Sequence, residues 1–331
     1  MDFIPIAIFW GLALMGLFGN RSILIYLFFA TMPFGSFAVF PPSMTMGLTL
    51  TPTPIVACIL FLRTFMTGKA VKFGTSAILA PRGLLLLTLF WAVAVLVTIF
   101  SPRFFAGAIT IVPMKVTRFF QSELLEPTTQ NISQILYLTI SAITVVTFAR
   151  LMLDPKQQQN ALKGLCIGGV VAVVTGILDY ASHFVTLSWL LAPFRTATYV
   201  LMTDVTLEGG TRRVVGLMPE SSVYGALCTQ LLTLLYFLRH AITDTFYRKK
   251  VVPVVATLLL LFVWLSTSSS AYVALVVFFV FALLEFLWRA KTARHGTRAG
   301  RELELEFWAA FVVAALVFAV FVIHPEVFDP I

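Results

Sequence analysis

Two adjacent arginines and a glutamate stand close together in the stretch TRRVVGLMPESS, residues 211–222, between two long apolar segments. The arginine side chain carries a planar fork of N–H donors that binds phosphate oxygens in pairs and does not deprotonate. Arg212 and Arg213 are therefore candidates for binding a phosphate at the depth of lipid headgroups, such as the pyrophosphate of a lipid carrier. The alternative is that both are simple anchors in headgroup water beside a helix.

The second half of this stretch has the composition of a helix start. Gly216 suits a turn, and Pro219 suits the first helical turn because its missing N–H would have no partner there. Glu220 would then lie at the positive end of the helix dipole, as a candidate acid or base. We expect the helix to continue through Ser221 and Ser222.

Other polar residues are candidates for a base or for binding of the pyrophosphate. Asp179 and His183 are four positions apart at the end of an apolar segment, so on a continuous helix the carboxylate would orient the imidazole as a candidate base. The alternative is that they are two polar residues at a membrane exit. The candidate pyrophosphate-binding residues are Arg103, Arg118, Arg195, Arg212 and Arg213.

A run of small hydroxyl residues follows one helix later, in LSTSSSA at residues 265–271. Small residues allow close helix packing, and hydroxyl groups can bond to the backbone at turns. We expect Ser266, Ser268 and Ser269 to form a tight turn, with contact to a sugar or phosphate as the alternative. The chain has no GxSxG or SxxK motif for a serine nucleophile.

The composition indicates an integral membrane protein. Of 331 residues, 59% are hydrophobic and only 11% are charged, against roughly 25% charged residues in a soluble domain. The three cysteines lie inside apolar runs and the four histidines form no cluster. We therefore expect neither a metal site nor a cofactor.

The apolar runs predict an all-α polytopic membrane protein with about ten transmembrane helices in a single domain, 1–331. A spanning helix needs about 20 mostly apolar residues. The predicted spans are 3–19, 22–40, 53–68, 84–101, 132–152, 163–181, 221–239, 251–267, 269–289 and 306–324.

The charges orient these spans. Cytoplasmic loops of membrane proteins are enriched in Lys and Arg. With ten spans and both termini outside, 17 of the 23 basic residues lie inside and 6 lie outside. The basic loop 288–303 is then a topological anchor that attracts anionic lipid rather than a nucleic-acid site. The two long connections, about 101–131 and 182–220, lie outside. Their apolar stretches, 104–111 and 187–194, predict helices at the membrane surface.

The order of these features resembles the O-antigen ligase and Wzy-type polymerase superfamily, particularly exopolysaccharide polymerases. The resemblance covers roughly residues 84–290. It rests on RRVVGLMPESSVYGALCTQLLTLL, a basic link, and then LLLFVWLSTSSSAYVALVVFFVFALL. The positions that match the superfamily's motifs are Arg213, Gly216, Pro219, Glu220, Ser221 and Ser266 to Ser270.

The resemblance implies a metal-independent glycosyltransferase in the bacterial inner membrane. It would move a glycan from an undecaprenyl pyrophosphate carrier to a sugar hydroxyl outside the cytoplasm. The arginines would hold the leaving group, and a carboxylate or histidine would deprotonate the acceptor. The implied partners are lipid-linked glycan, membrane lipids and a chain-length regulator or export proteins. An O-antigen-type ligase, a polysaccharide or lipid transporter or flippase, and a non-catalytic subunit of an export complex remain alternatives.

Overall fold

A computed structural model describes residues 3–41, 44–45, 49–111, 122–203, 206 and 212–292. This part of the chain is mostly helical, as predicted, and has almost no strand. In chain order the helices are α1 (Phe3–Phe18), α2 (Arg21–Thr31), α3 (Pro52–Thr64), α4 (Gly68–Leu79), α5 (Leu85–Phe104), α6 (Thr129–Leu151), α7 (Pro155–Ala181), α8 (Ser188–Leu191), α9 (Ser221–Leu238), α10 (Val252–Leu265) and α11 (Ser269–Thr292). Short 3₁₀ turns at Ala192–Phe194 and Arg239–Ala241 extend α8 and α9, and a π-turn at Tyr247–Val251 leads into α10.

Five of the described helices are long and apolar enough to cross a membrane: α5, α6, α7, α9 with its 3₁₀ extension, and α11. The broken pair α3 and α4 would be a sixth if it forms one span. These helices fit a multi-pass membrane protein. Ten full-length spans are not observed, because α1, α2 and α10 have only 16, 11 and 14 residues. The predicted span 306–324 lies outside the described residues.

The predicted span 22–40 is wrong in its second half. Helix α2 ends at Thr31, and the following residues turn back as irregular chain. Pro33 accounts for this end, because a proline has no N–H group with which to continue the helical hydrogen bonds. The irregular segment is held by Ser36, whose N–H donates to Leu217 O and whose carbonyl accepts from Thr196 and Ala197.

The predicted span 53–68 is also broken. Helix α3 ends at Thr64, and α4 begins at Gly68 after a bend of 115°. The Arg63 side chain reaches the end of α1, where it donates to the carbonyls of Gly16, Leu17 and Gly19. Carbonyls at a helix end have no partner inside the helix, so this arginine caps α1 from a neighbouring helix.

The first long connection is not a surface helix. Helix α5 continues to Phe104, and the chain then turns at Gly107, which has a φ of +74°. Strand β1 (Thr110–Ile111) follows, and it pairs antiparallel with β2 (Glu123–Leu124). A left-handed glycine ends a helix readily, which explains why the apolar pattern of 104–111 does not form one. The second connection does contain the predicted helix, as the short α8.

Helix α7 lies at the centre of the described structure. In the most apolar 18 residues of α7, 61% are buried, whereas none is buried in the corresponding part of α5. Close packing needs small residues: a Cβ on Gly168 would lie 2.8 Å from the carbonyl oxygen of Phe29 in α2. The outer surface of α5 and α11 is largely apolar side chains, as expected of helices that face lipid.

Candidate functional site

The stretch that carries the paired arginines runs through the inside of the protein rather than along its surface. Val214, Val215, Leu217 and Met218 are all buried. Their backbone is tied to distant elements: Val214 N–H donates to Leu265 O at the end of α10, and Leu217 O accepts from Ser36. The stretch is therefore a structural layer over the ends of α7, α9 and α10.

The side chain of Asp179, which is fully buried in α7, organises this layer. Its Oδ2 atom accepts hydrogen bonds from the backbone N–H groups of Val215 (2.7 Å) and Gly216 (3.0 Å). Its Oδ1 atom lies 2.7 Å from Nη2 of Arg195 and 3.9 Å from Nη2 of Arg212. A buried carboxylate needs such partners, because an unpaired charge in a low dielectric is very costly.

Gly216 is required at its position by both its backbone and its neighbours. Its φ of +58° lies in the left-handed region, which glycine adopts without strain. A Cβ there would approach the Tyr224 ring to 2.9 Å. Tyr224 cannot easily withdraw, because it is fully buried and its hydroxyl donates to Ala172 O at 2.9 Å.

The arginines of the stretch point to different partners. Arg212 donates through Nε to Thr203 O (2.8 Å) and approaches Asp179. Arg213 instead interacts electrostatically with the Tyr272 phenol on α11. Within the described ranges the guanidinium of Arg213 makes no hydrogen bond, and its Nε atom is buried. Arg195 bonds through Nη2 to Asp179 and Gly216 O, while its Nε atom is also buried and has no hydrogen-bond partner in the described structure.

The other two predicted arginines do not join this group in the described structure. Arg103 lies exposed in the last turn of α5, where it donates to Ile99 O of its own helix. Arg118 lies outside the described residues. The structure thus brings Arg195 and Arg212 to the buried carboxylate of Asp179, while Arg213 adjoins Arg212 only in the chain.

Helix α9 begins at Ser221, as in the predicted span 221–239, but later than the expected helix start at Pro219. Pro219 therefore lies before the helix, and Glu220 is its N-cap rather than part of the first turn. The Glu220 carboxylate accepts a hydrogen bond from the Ser222 hydroxyl. Pro219 still contributes to the layer, since its carbonyl accepts from Met202 N–H at 2.8 Å.

The structure does not show the predicted pairing of Asp179 with His183. Helix α7 ends at Ala181, before His183, so the one-turn spacing that the pairing needed is lost. Both Asp179 oxygens are directed to Arg195, Val215 and Gly216. The His183 ring packs against Tyr180 and Phe184.

The serine run forms the turn between α10 and α11. Ser266 is buried and donates to Val263 O (2.6 Å), and Thr267 has a φ of +48°. The hydroxyls of Ser268 and Ser270 lie 3.0 Å apart, and Ser269 begins α11. A Cβ on Gly225 would lie 2.6 Å from the Ser266 hydroxyl, so the small residues let α9 pack closely against this turn.

Sequence reasoning missed a group of tyrosine and threonine contacts beside the layer. Thr49 and Thr198 are joined by their hydroxyls at 2.7 Å, and Tyr137 donates to Thr49 O. The Tyr199 hydroxyl donates to Gly35 O, and the residue is 39% exposed. Desolvation of the hydroxyl raises the pKa of Tyr199 to about 12, with a smaller contribution from Tyr137. Tyr199 therefore stays protonated near neutral pH and is not a general base. Single polar residues between apolar ones were the only signal for these contacts.

No group of three or more His, Cys, Asp or Glu side chains with metal-binding geometry occurs among the described residues. Comparison of the chain with protein-family models, with curated proteins and with solved structures gives no match.

Proposed function

We propose that the chain is a membrane-embedded glycosyltransferase that transfers a glycan from an undecaprenyl pyrophosphate carrier to a sugar hydroxyl. The proposed reaction is that of an exopolysaccharide or O-antigen polymerase, with an O-antigen-type ligase as its near neighbour. The proposal includes the bacterial inner membrane, ten spans, both termini outside and a reaction that needs no metal. The multi-pass helical architecture and the resemblance around residues 211–222 and 265–271 support it.

The observation that carries the proposal is the meeting of Arg195 and Arg212 at one buried carboxylate, with Arg213 next to Arg212 in the chain. Two guanidinium groups, those of Arg195 and Arg212, meet the single carboxylate of Asp179, so this described group has an excess of positive charge. Asp179 holds Arg195 in one orientation, and this leaves donors of the guanidinium for a second anion.

Two donor atoms of these arginines have no hydrogen-bond partner in the described structure. The Nε atoms of Arg195 and Arg213 are buried and unbonded within the described ranges. Buried donors are nearly always satisfied in native proteins, and each exception requires an explanation. A pyrophosphate oxygen bound in the cluster would supply that partner. It would also neutralise the leaving group, which is a large catalytic effect in a water-poor site.

The acceptor hydroxyl needs a base, and Glu220 is a carboxylate that follows the paired arginines by seven positions. It is half-buried at the start of α9, where Ser222 donates to it. In this proposal Glu220 takes the proton of the acceptor. His183 remains a second candidate, at the end of α7.

The test is glycan transfer by purified protein in nanodiscs with a lipid-pyrophosphate repeat unit as donor. Arg213→Gln is the informative variant, because Arg213 makes no ion pair in the described structure and its loss should not unfold the protein. We expect transfer to fall by about 100-fold or more, as for the loss of one transition-state donor. Arg103→Gln is the matched control, since it removes the same charge from an exposed arginine on α5. Equal activity in the two variants would exclude the cluster as the site.

A second candidate function is ion-coupled transport, which one observation favours. Asp179 is a fully buried ionisable residue in a candidate spanning helix, and such residues commonly mark ion or proton pathways. Proton-driven movement of a solute or lipid-linked glycan across liposomes, lost in Asp179→Asn but with no glycan transfer by the wild type, would favour this function instead.

A further inference from the structure

A second feature with the chemistry of a binding site lies near the middle of α7. An open groove with a volume of about 210 Å³ runs between this part of α7 and the segment that leads into α10. Val170 and Val171 line one wall, and Phe246 and Val251 line the other. Val170 is 9 positions before Asp179, or roughly 14 Å along the helix axis at 1.5 Å per residue, so this groove is separate from the arginine cluster.

The shape of the groove suits part of an extended apolar chain. Its walls are apolar, and Val170 and Phe246 are 40% and 58% exposed. Pockets for small molecules typically have volumes of roughly 300–1,000 Å³ and enclose most of the ligand. This groove is smaller and open along one side, so it would hold one segment of an acyl chain rather than a whole metabolite.

The charge at the mouth of the groove determines the kind of lipid. Arg248, Lys249 and Lys250 lie in the π-turn, whose first and last residues, Tyr247 and Val251, both line the groove. No carboxylate in the described part of the chain forms an ion pair with these three cations. The nearby Asp244 is paired with Lys163 at 2.8 Å.

The aromatic residues connect the apolar and basic parts of this region. The Lys250 ammonium lies 6.0 Å from the centroid of the Phe246 ring, and the Lys163 ammonium lies 5.2 Å from that of Tyr247. Both aromatic residues line the groove, and each has a cation near its ring. An aromatic and basic rim beside an apolar groove is the arrangement that matches a lipid at the membrane interface.

We propose that this groove is a binding site for an anionic phospholipid. One acyl chain lies between α7 and α10, and the phosphate group is held by Arg248, Lys249 and Lys250. The π-turn is the element that makes this possible, because it places three consecutive cations at the point where the apolar helix begins. The site takes lipid from the bilayer and is independent of any glycan transferred at the arginine cluster.

Native mass spectrometry of the delipidated protein tests this proposal, with phosphatidylglycerol and phosphatidylcholine of identical acyl chains as the added lipids. We expect wild type to bind phosphatidylglycerol more tightly. The triple variant Arg248→Gln, Lys249→Gln and Lys250→Gln should bind it roughly 10- to 100-fold more weakly, from the combined attraction of three cations for an anionic headgroup. Its affinity for phosphatidylcholine should not change.

The matched control removes three exposed cations elsewhere, in Lys69→Gln, Lys72→Gln and Arg82→Gln, and should keep wild-type affinity. Equal losses in the two triple variants would overturn the proposal, as would equal binding of the two lipids by wild type. Val170→Trp tests the groove itself: the indole fills it, so binding of both lipids should weaken while the cations remain. Unchanged binding in this variant, with normal elution and helix content, would exclude the groove as the acyl site. If Val170→Trp does not fold, the two triple variants, altered at surface positions, decide the matter.

Discussion

Replacement of Asp179 by Asn tests the organisation of the arginine cluster most directly. The two side chains have nearly the same shape, but the amide has one acceptor oxygen and one NH₂ group in place of two acceptor oxygens. In wild type, Oδ2 accepts from Val215 and Gly216 while Oδ1 faces Arg195. In either orientation the NH₂ group of Asn meets N–H donors, so some of these bonds are lost.

The magnitude follows from burial. Asp179 is fully buried, and removal of one partner from a buried ion pair costs about 3–5 kcal/mol. This corresponds to a change of roughly 100- to 5,000-fold in the folding equilibrium. With about 2–4 °C per kcal/mol for chains of 150–250 residues, the Tm should fall by about 6–20 °C.

A thiol-reactive fluorescent dye measures this fall, because Cys166 and Cys228 are buried free thiols that react when the helices separate. Asp244→Asn is the matched control, because it removes the carboxylate of an exposed pair and keeps the oxygen that accepts from Phe246 N–H. Exposed pairs contribute little to stability, so its Tm should fall by much less than that of Asp179→Asn. If Asp179→Asn melts within 2 °C of wild type, or no lower than the control, the carboxylate does not organise the layer.

Three further predictions follow from particular contacts. Gly216→Ala should lower the Tm and reduce transfer, because Ala is strained at positive φ and its Cβ would contact the buried Tyr224 ring. An unchanged Tm and unchanged transfer would show that this turn can shift. Gly168→Leu should prevent stable packing of α7 on α2, since its Cβ would already press on the backbone oxygen of Phe29; a thiol-dye Tm equal to that of wild type would contradict this. The hydrogen bond from Lys163 lowers the pKa of Asp244, so its contribution is present above the unfolded-state pKa of about 3.9 and is lost as the pH falls through the lower folded-state pKa. The Tm difference between wild type and Asp244→Asn should therefore shrink towards zero below about pH 4, and a difference that grows there would refute the pairing.

The helical class was predictable from the sequence, since runs of apolar residues have few other solutions in a membrane. Helix lengths were less predictable. The run 22–40 has the hydrophobicity of a span, but Pro33 ends α2 and the remaining apolar residues pack inside the protein. Hydrophobicity alone does not distinguish a residue that faces lipid from one that faces another segment of the same chain.

The candidate site shows the same limit. The sequence indicated that Arg195, Arg212 and Arg213 lie on one side, but it could not show that Asp179 brings Arg195 and Arg212 together. Local spacing favoured His183 as the partner of Asp179. Backbone donors of Val215 and Gly216, more than thirty positions away, are the actual partners, and backbone groups carry no signal in the sequence. The burial of the Nε atoms of Arg195 and Arg213 likewise depends on contacts between distant segments of the chain.

The hydrogen bonds of residues 36–38 determine when this part of the structure can form during synthesis. Ala38 N–H donates to the Thr196 hydroxyl, 158 positions later in the chain, and Ser36 bonds to residues still further on. At a synthesis rate of roughly 5–20 residues per second, these partners emerge about 8–30 s after residue 38. The peptide groups of this segment, which follows the first two helices, must remain solvated or shielded by an insertion factor during that interval. The layer that holds the arginines can therefore assemble only after α7 has been inserted, which makes it one of the last parts of the described structure to form.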